Sequence, residues 1–152
     1  MAHIHASWVH GSSVQPQRQG FFVNSIREGY GALFRSHNQP GKGGEWFHFA
    51  IPTPVIVSST RVLAVKVLIR YATIQTAKIT AVHLYDVETR FKSFDGLSLA
   101  SAADATVEWV LAPGHQMRWG LGISVFVDFG ASTAQGVPGI RFRAAGADFQ
   151  VP

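Results

Sequence analysis

The chain has 152 residues, of which 47% are hydrophobic and 14% are charged. This is the size and composition of one folded domain, spanning residues 1–152, and not of a disordered protein. It has no cysteine, which excludes disulfides, thiolate metal sites and cysteine nucleophiles. The formal net charge is +4, but the basic residues are scattered singly along the chain, so nucleic acid is not expected as a partner.

The first segment, MAHIHASWVHG, carries three histidines. On a strand, His3 and His5 project from the same face, whereas His10 has the other parity. Two imidazoles at this spacing suit a transition metal. If Met1 is retained, the start Met-Ala-His would add a free amine and two amide nitrogens, which together with His3 favour copper or nickel; if Met1 is trimmed, this arrangement is lost. The alternative is that this segment is a pairing strand whose histidines lie in an interface. If a cofactor is present, the candidates are copper and zinc, with ligands from the set His3, His5, His10, His48 and His83.

Hydrophobic residues alternate with polar ones in many short segments, which predicts strands. The candidates in chain order are residues 3–9, 20–26, 31–35, 45–51, 61–71, 77–86, 89–94, 107–111, 121–129, 140–143 and 147–151. Glycine and proline mark loops at 11–20, 36–45, 93–96, 111–115 and 131–139, and the segment 97–105 is too short for a stable helix. About nine to eleven strands with no convincing helix predict an all-β, single-domain antiparallel sandwich resembling a jelly roll.

Two segments need separate treatment. In RVLAVKVLIRY, a strict period of two would put Val65, Val67 and Ile69 on one face and leave Val62, Ala64 and Leu68 on the other. A second face this apolar needs cover from a sheet, a partner or a ligand. In IPTPVIV, Pro52 and Pro54 lie two residues apart, so this segment is an edge strand, a crossover between sheets or an arm that packs on a neighbour.

The aromatic residues offer a second functional feature. Most of the eleven Phe are expected to fill the core, but Trp46 and Trp119 each border a glycine-rich loop. Exposed tryptophans would form a sugar-stacking platform or an interface anchor, and a carbohydrate-binding sandwich should have at least one exposed Trp beside a groove. The candidate ligand or interface residues are Trp8, Trp46, Trp119, Pro52, Pro54 and Phe126.

The motifs of common enzymes are missing. PGKGGE lacks the frame and the following helix of a phosphate-binding loop, and the nine acidic residues suggest no particular catalytic pair. No catalytic residue is therefore assigned. The main hypothesis is a non-enzymatic binding or self-assembly module that forms a homo-oligomer through its sandwich faces and edges. The alternatives are a copper- or zinc-binding protein or metalloenzyme that uses the His-x-His strand, and a carbohydrate-binding β-sandwich with a glycan or other small molecule as ligand.

Several motifs resemble a family of small bacterial all-β proteins that carry a domain of unknown function. They are WVHG, WFHFAIPTPVIV, VHLYD, GLGISV and AGADF, and the similarity spans nearly the whole chain. The resemblance implies a stand-alone β-domain whose aromatic-rich motifs include His10, Trp46, His48, Pro52, Pro54 and His83. It implies no particular activity or catalytic residue.

The sequence also bears on location. It has neither a cationic segment followed by an apolar stretch at its start nor any apolar run approaching the roughly 18 residues of a transmembrane helix. We therefore expect no transmembrane segment, and a protein that is cytoplasmic or exported without a classical signal peptide.

Overall fold

The computed structural model describes residues 3–40 and 43–152, which form thirteen β-strands and two short 3-10 helices, Gly11–Ser13 and Gln19–Phe21. The strands are β1 (Ile4–His10), β2 (Gln15–Pro16), β3 (Asn24–Glu28), β4 (Gly31–Arg35), β5 (Glu45–Ile51), β6 (Ile56–Val57), β7 (Thr60–Arg61), β8 (Leu63–Ile74), β9 (Lys78–Asp86), β10 (Thr89–Phe94), β11 (Ala105–Gln116), β12 (Leu121–Asp128) and β13 (Gly139–Gln150). Three of them have only two residues, so ten substantial strands remain, within the predicted range.

The strands form two antiparallel sheets. The first has the order β11-β8-β13-β4-β3, and β1 pairs with β13 on the same side as β4; the second has the order β10-β9-β12-β5-β2. From β4 to β13 the chain crosses repeatedly between the sheets, which gives the orders β4-β13-β8-β11 and β5-β12-β9-β10. This interleaving is the strand order of a jelly roll. The prediction of an all-β antiparallel sandwich is confirmed.

The core lies between the two sheets and is rich in phenylalanine. Phe34 and Phe142 of the first sheet meet Phe47 of the second with ring centroids 4.8 and 5.0 Å from it. All three side chains are fully buried. Burying such large rings is worth about 1.5–3 kcal/mol each, so this cluster is a main source of stability.

The interpretation of β8 as a strictly alternating strand is wrong. Lys66 pairs with Asp148 but Ala64 pairs with Phe149, so Val65 is an extra residue that forms a bulge. A bulge reverses the side-chain parity, and Val62 and Ala64 are therefore fully buried instead of forming part of a second apolar face. Leu68 does lie on the outer face, but it is only 9% exposed.

Other boundaries also differ from expectation. The segment 111–115, predicted as a loop, lies within β11, where the register shifts between Val110 and His115. The predicted strand at 20–26 begins only at Asn24, because the chain before it forms a 3-10 turn.

The proline segment after β5 connects the second sheet to the first, so the crossover interpretation is confirmed. The residues 97–104 form no helix, as expected.

No helix in the described residues is long and apolar enough to cross a membrane.

Candidate ligand-binding groove

The outer face of the second sheet carries polar, aromatic and small side chains close together. The strand register arranges its side chains in three rows that run across the strands. One row is polar, one combines small residues with a tyrosine and an arginine, and one is aromatic. The rows are Gln15, His48, Ser124, His83 and Ser93; Ala50, Gly122, Tyr85 and Arg90; and Trp46, Phe126 and Ala81.

A groove of about 490 Å³ runs along β12 on this face. Its floor includes Gly122 and Ser124, one wall includes Tyr85 and Val87, and the other includes Gln15. A Cβ built on Gly122 would meet nothing closer than the Cβ of Tyr85 at 3.8 Å, so the glycine leaves the floor open. Glycine in the middle of a strand weakens it and often marks a place where a ligand approaches the backbone.

Hydrogen bonds fix the polar wall. His48 Nδ1 accepts from the Ser124 hydroxyl at 2.8 Å, and His48 Nε2 donates to Gln17 Oε1 at 3.1 Å. Burial lowers the pKa of His48 below 6.5, although the charge of Glu45 partly opposes this shift. His48 is therefore a neutral ring at neutral pH, with both nitrogens occupied and one face available to the groove.

A second histidine lies on the other side of β12. His83 Nε2 donates to Asp95 Oδ1 at 2.8 Å, and its Nδ1 faces the Arg90 guanidinium at 3.4 Å. His48 and His83 flank Ser124 on opposite sides and so lie two strands apart. His48 and Ser124 line the groove, whereas His83 lies next to it on the same face.

An aromatic cluster lies beyond the Ser124 end of the groove. The ring of Trp46 is 4.7 Å from that of His83 and 5.1 Å from that of Phe126, measured between centroids. Both Trp46 and Phe126 are partly exposed. The face thus combines flat apolar rings with fixed hydrogen-bonding groups, an arrangement that binds amphipathic ligands with apolar faces and polar edges.

A buried carboxylate, Glu45, positions the wall of the groove that contains His48. Glu45 is 1% exposed and accepts hydrogen bonds from the backbone N–H groups of Arg18 and Trp46, both at 2.8 Å. The Arg18 side chain also lies 3.3 Å from it. Since Gln17 directly precedes Arg18 and donates its N–H to Trp46 O, Glu45 holds Gln17 beside His48.

A second buried carboxylate, Asp86, holds the loop before β12 at the other end of the groove. Burial by itself raises the pKa of Asp86, but hydrogen bonds from the backbone N–H groups of Arg118, Trp119 and Gly120 and from His115 outweigh it, so the pKa lies below its ordinary value. Gly120 lines the groove, and its neighbour Trp119 is 67% exposed. The expected exposed tryptophan beside a groove is therefore present.

The structure brings only some of the predicted ligand residues together. Trp46 and Phe126 are in contact on the face just described. Trp8 lies on the first sheet, where its ring covers Gly146 so closely that a Cβ there would be 2.5 Å from it. Pro52 and Pro54 lie in the crossover after β5. A ligand or interface role stays a prediction for all six residues, Trp46, Phe126 and Trp119 included.

The predicted histidine ligands do not meet within one chain. Among residues 3–40 and 43–152, no group of three or more His, Asp or Glu side chains is placed to hold a metal ion. The physical reason is that His3, His5 and His10 belong to the edge of the first sheet, while His48 and His83 lie on the outer face of the second. Met1 and Ala2, which the amino-terminal copper or nickel arrangement requires, lie outside the described residues. Metal binding stays a prediction.

Sequence reasoning missed the groove residues Gln15, Tyr85, Gly122 and Ser124, and also Gln17, which hydrogen-bonds His48. The signal was available in β12, where Gly122, Ser124 and Phe126 are the members of the alternation that face away from the core. What could not be read was that β9 and β5 flank this strand on either side.

No family model matches the chain, and no curated protein matches it. Among solved structures, the chain is similar to the xylan-binding module CBM15, with a TM-score of 0.51 and 9% identity over 99% of this chain and 97% of that one. This similarity shows the fold. The chain is also similar to a family two carbohydrate esterase from Cellvibrio japonicus, with a TM-score of 0.45 and 9% identity over 100% of this chain and 36% of that one. The third is an isomalto-dextranase of Arthrobacter globiformis T6 complexed with panose (TM-score 0.42, 16% identity, 96% and 23%).

Proposed function

We propose that the protein is a non-catalytic carbohydrate-binding module that holds a neutral glycan in the groove along β12. The observation that carries the proposal is the groove itself, an open glycine floor between Tyr85 on one side and His48 on the other. A sugar ring has an apolar C–H face and hydroxyl groups at its edge. Aromatic rings pack against the first, and fixed polar groups hydrogen-bond the second.

The charges favour a neutral ligand over an acidic or basic one. His48 is neutral at neutral pH, and Arg90 is balanced by the nearby Asp95 carboxylate, with His83 between them. Among residues 3–40 and 43–152, the side chains that line the groove include no Lys, Arg, Asp or Glu. The xylan-binding module with the similar fold supports xylan as the first glycan to test.

The test is a comparison of wild type with Gly122→Val. Valine at this position fills the groove but should not disturb the fold, because the space above Gly122 is open and valine suits a strand. Affinity electrophoresis against xylan, cellulose derivatives, dextran and polygalacturonate should show retardation of wild type by a neutral polysaccharide and its loss in Gly122→Val.

The matched control is Ala6→Val, which adds a side chain of the same size to an exposed position on β1. It should bind like wild type, and thermal unfolding should show that both variants fold. If wild type binds no polysaccharide, or if Gly122→Val binds as well as wild type, the proposal is wrong.

Self-assembly is a second candidate function, favoured by the edge strand β1. It pairs only with β13 among the described strands, and its Ile4 and Trp8 are 53% and 44% exposed. A free edge with exposed apolar side chains is a surface on which a second copy of the strand can pair. Native mass spectrometry over a range of concentrations should show a dimer that Trp8→Ala weakens; a monomer throughout would exclude this function.

A further inference from the structure

A second concavity of about 300 Å³ adjoins the groove at the end of the sandwich. The two share the turn after β9 and the loop before β12: Val87 and Gly120 line the groove, while Glu88 and Trp119 line the end concavity. The remaining lining residues are Asp86, Thr89, His115 and Arg118. The Val87 N–H donates to the Gly120 carbonyl oxygen at 3.0 Å, which joins the turn to the loop. A chain that leaves the groove over these two residues therefore passes directly to Trp119.

Trp119 is exposed, but its backbone is firmly held. Asp86 accepts the N–H groups of Arg118, Trp119 and Gly120 at 2.7, 2.9 and 3.1 Å. Three consecutive donors on one buried carboxylate fix the path of the loop.

The carbonyl side of the same loop is also fixed. The Arg61 guanidinium donates to the carbonyl oxygens of Met117 and Arg118 at 3.2 and 2.9 Å, and the Met117 side chain is fully buried in the core. A large apolar ring on a rigid loop that faces solvent has the character of a binding platform, since the ordering of the loop precedes the arrival of a ligand.

Polar groups surround this platform. The His115 ring stacks on Phe91 with centroids 3.8 Å apart, and its Nε2 lies 3.2 Å from Asp86 Oδ2, so its orientation is set. Glu88, Thr89 and Arg118 add a carboxylate, a hydroxyl and a guanidinium. The combination of one flat ring with several donors and acceptors repeats the chemistry of the groove.

We infer that the end concavity is a second sugar subsite, so that the protein binds an extended polysaccharide chain running from the groove across the turn at residues 86–89 to Trp119. This inference rests on the proposed function. The ligand is then a linear chain longer than the groove, and the protein distinguishes it from short oligosaccharides by its length.

The test is isothermal titration calorimetry with neutral β-1,4-linked xylo- and gluco-oligosaccharides of two to six sugar units, using wild type and Trp119→Ala. Wild-type affinity should rise with length until the chain reaches Trp119. Loss of one stacking contact should make the longest oligosaccharides bind about five- to tenfold more weakly to Trp119→Ala, while the shortest bind unchanged. Tyr30→Ala, which removes a 60% exposed aromatic ring from the turn between β3 and β4 of the other sheet, is the matched control and should leave all affinities unchanged.

The outcomes separate the two ideas. If Gly122→Val abolishes binding but Trp119→Ala weakens no oligosaccharide, or weakens all lengths equally, the second subsite is wrong and the groove stands. If wild type binds none of the oligosaccharides or polysaccharides, both are wrong.

Discussion

Asp86 should contribute more to stability than any surface ion pair, because one buried carboxylate accepts four hydrogen bonds. It is 4% exposed, and its partners are three backbone N–H groups and His115. Hydrogen bonds to a charged acceptor are worth about 1.5–3 kcal/mol each, but bonds that share one acceptor are not additive. We expect Asp86→Ala to lower the free energy of unfolding by about 3–5 kcal/mol. For a domain of this size that is a fall in Tm of about 6–20 °C.

Asp86→Asn should have a smaller effect. The amide keeps one oxygen, which can still accept from Trp119 and Gly120, but it places an NH2 group opposite the Arg118 N–H. Urea denaturation of the two variants should therefore rank wild type above Asn and Asn above Ala. The matched control is Asp104→Asn at an exposed position, where a hydrogen bond from Arg143 lowers the pKa of the carboxyl. Its effect should be much smaller. A loss below about 1 kcal/mol in Asp86→Ala would refute the reasoning.

The pH dependence of Asp86 has a definite sign. Its pKa in the folded protein lies below the ordinary 3.8, so the unfolded chain takes up the proton first as the pH falls. The stabilisation is therefore complete above about pH 4 and is lost as the pH falls through the folded pKa. The difference in unfolding free energy between wild type and Asp86→Asn should shrink below pH 3.8. A difference that stays constant down to pH 2 would contradict this cause.

Two further predictions concern the second sheet. Because burial lowers the pKa of His48, the unfolded chain binds the proton first, and this residue should reduce stability as the pH falls below 6.5. A titration of the imidazole signals by NMR should place the midpoint of His48 below 6.5, and His48→Gln should remove the contribution of this residue to the pH dependence of stability. A midpoint at or above 6.5 would contradict the burial argument. Gly44→Ala should destabilise the protein by at least about 2 kcal/mol, because a Cβ there would lie 1.8 Å from the carbonyl oxygen of Val127. The control in the same thermal unfolding experiment is Gly20→Ala, whose added Cβ meets nothing within 4 Å. Equal Tm values for the two variants would show that the close approach at Gly44 is unimportant.

The sequence alone determined the fold class. The alternation of apolar and polar residues is a local property, since successive side chains of a strand point to opposite faces whatever the strand pairs with. Val125 and Val127 were thus assignable to the core, and Phe126 to the outer face, before any pairing was known. The crossover at Pro52 and Pro54 was also among the interpretations that the sequence allowed, because proline cannot donate to a neighbouring strand.

The candidate site depended on contacts between distant parts of the chain. The groove exists because Gly122 of β12 lies between Ala50 of β5 and Tyr85 of β9, and no local pattern states which strands are neighbours. In the same way, the bulge at Val65 became visible only from its pairing with β13.

The clearest case is the pair of Asp86 and Trp119, which are 33 residues apart. From the sequence, Asp86 is the end of a strand and Trp119 is an aromatic residue near a glycine-rich loop. Only the tertiary structure brings the carboxylate under the loop and holds the tryptophan in place at the end of the groove. Periodicity depends on the local geometry of one strand, but register and hydrogen bonds between loops depend on how the whole chain packs.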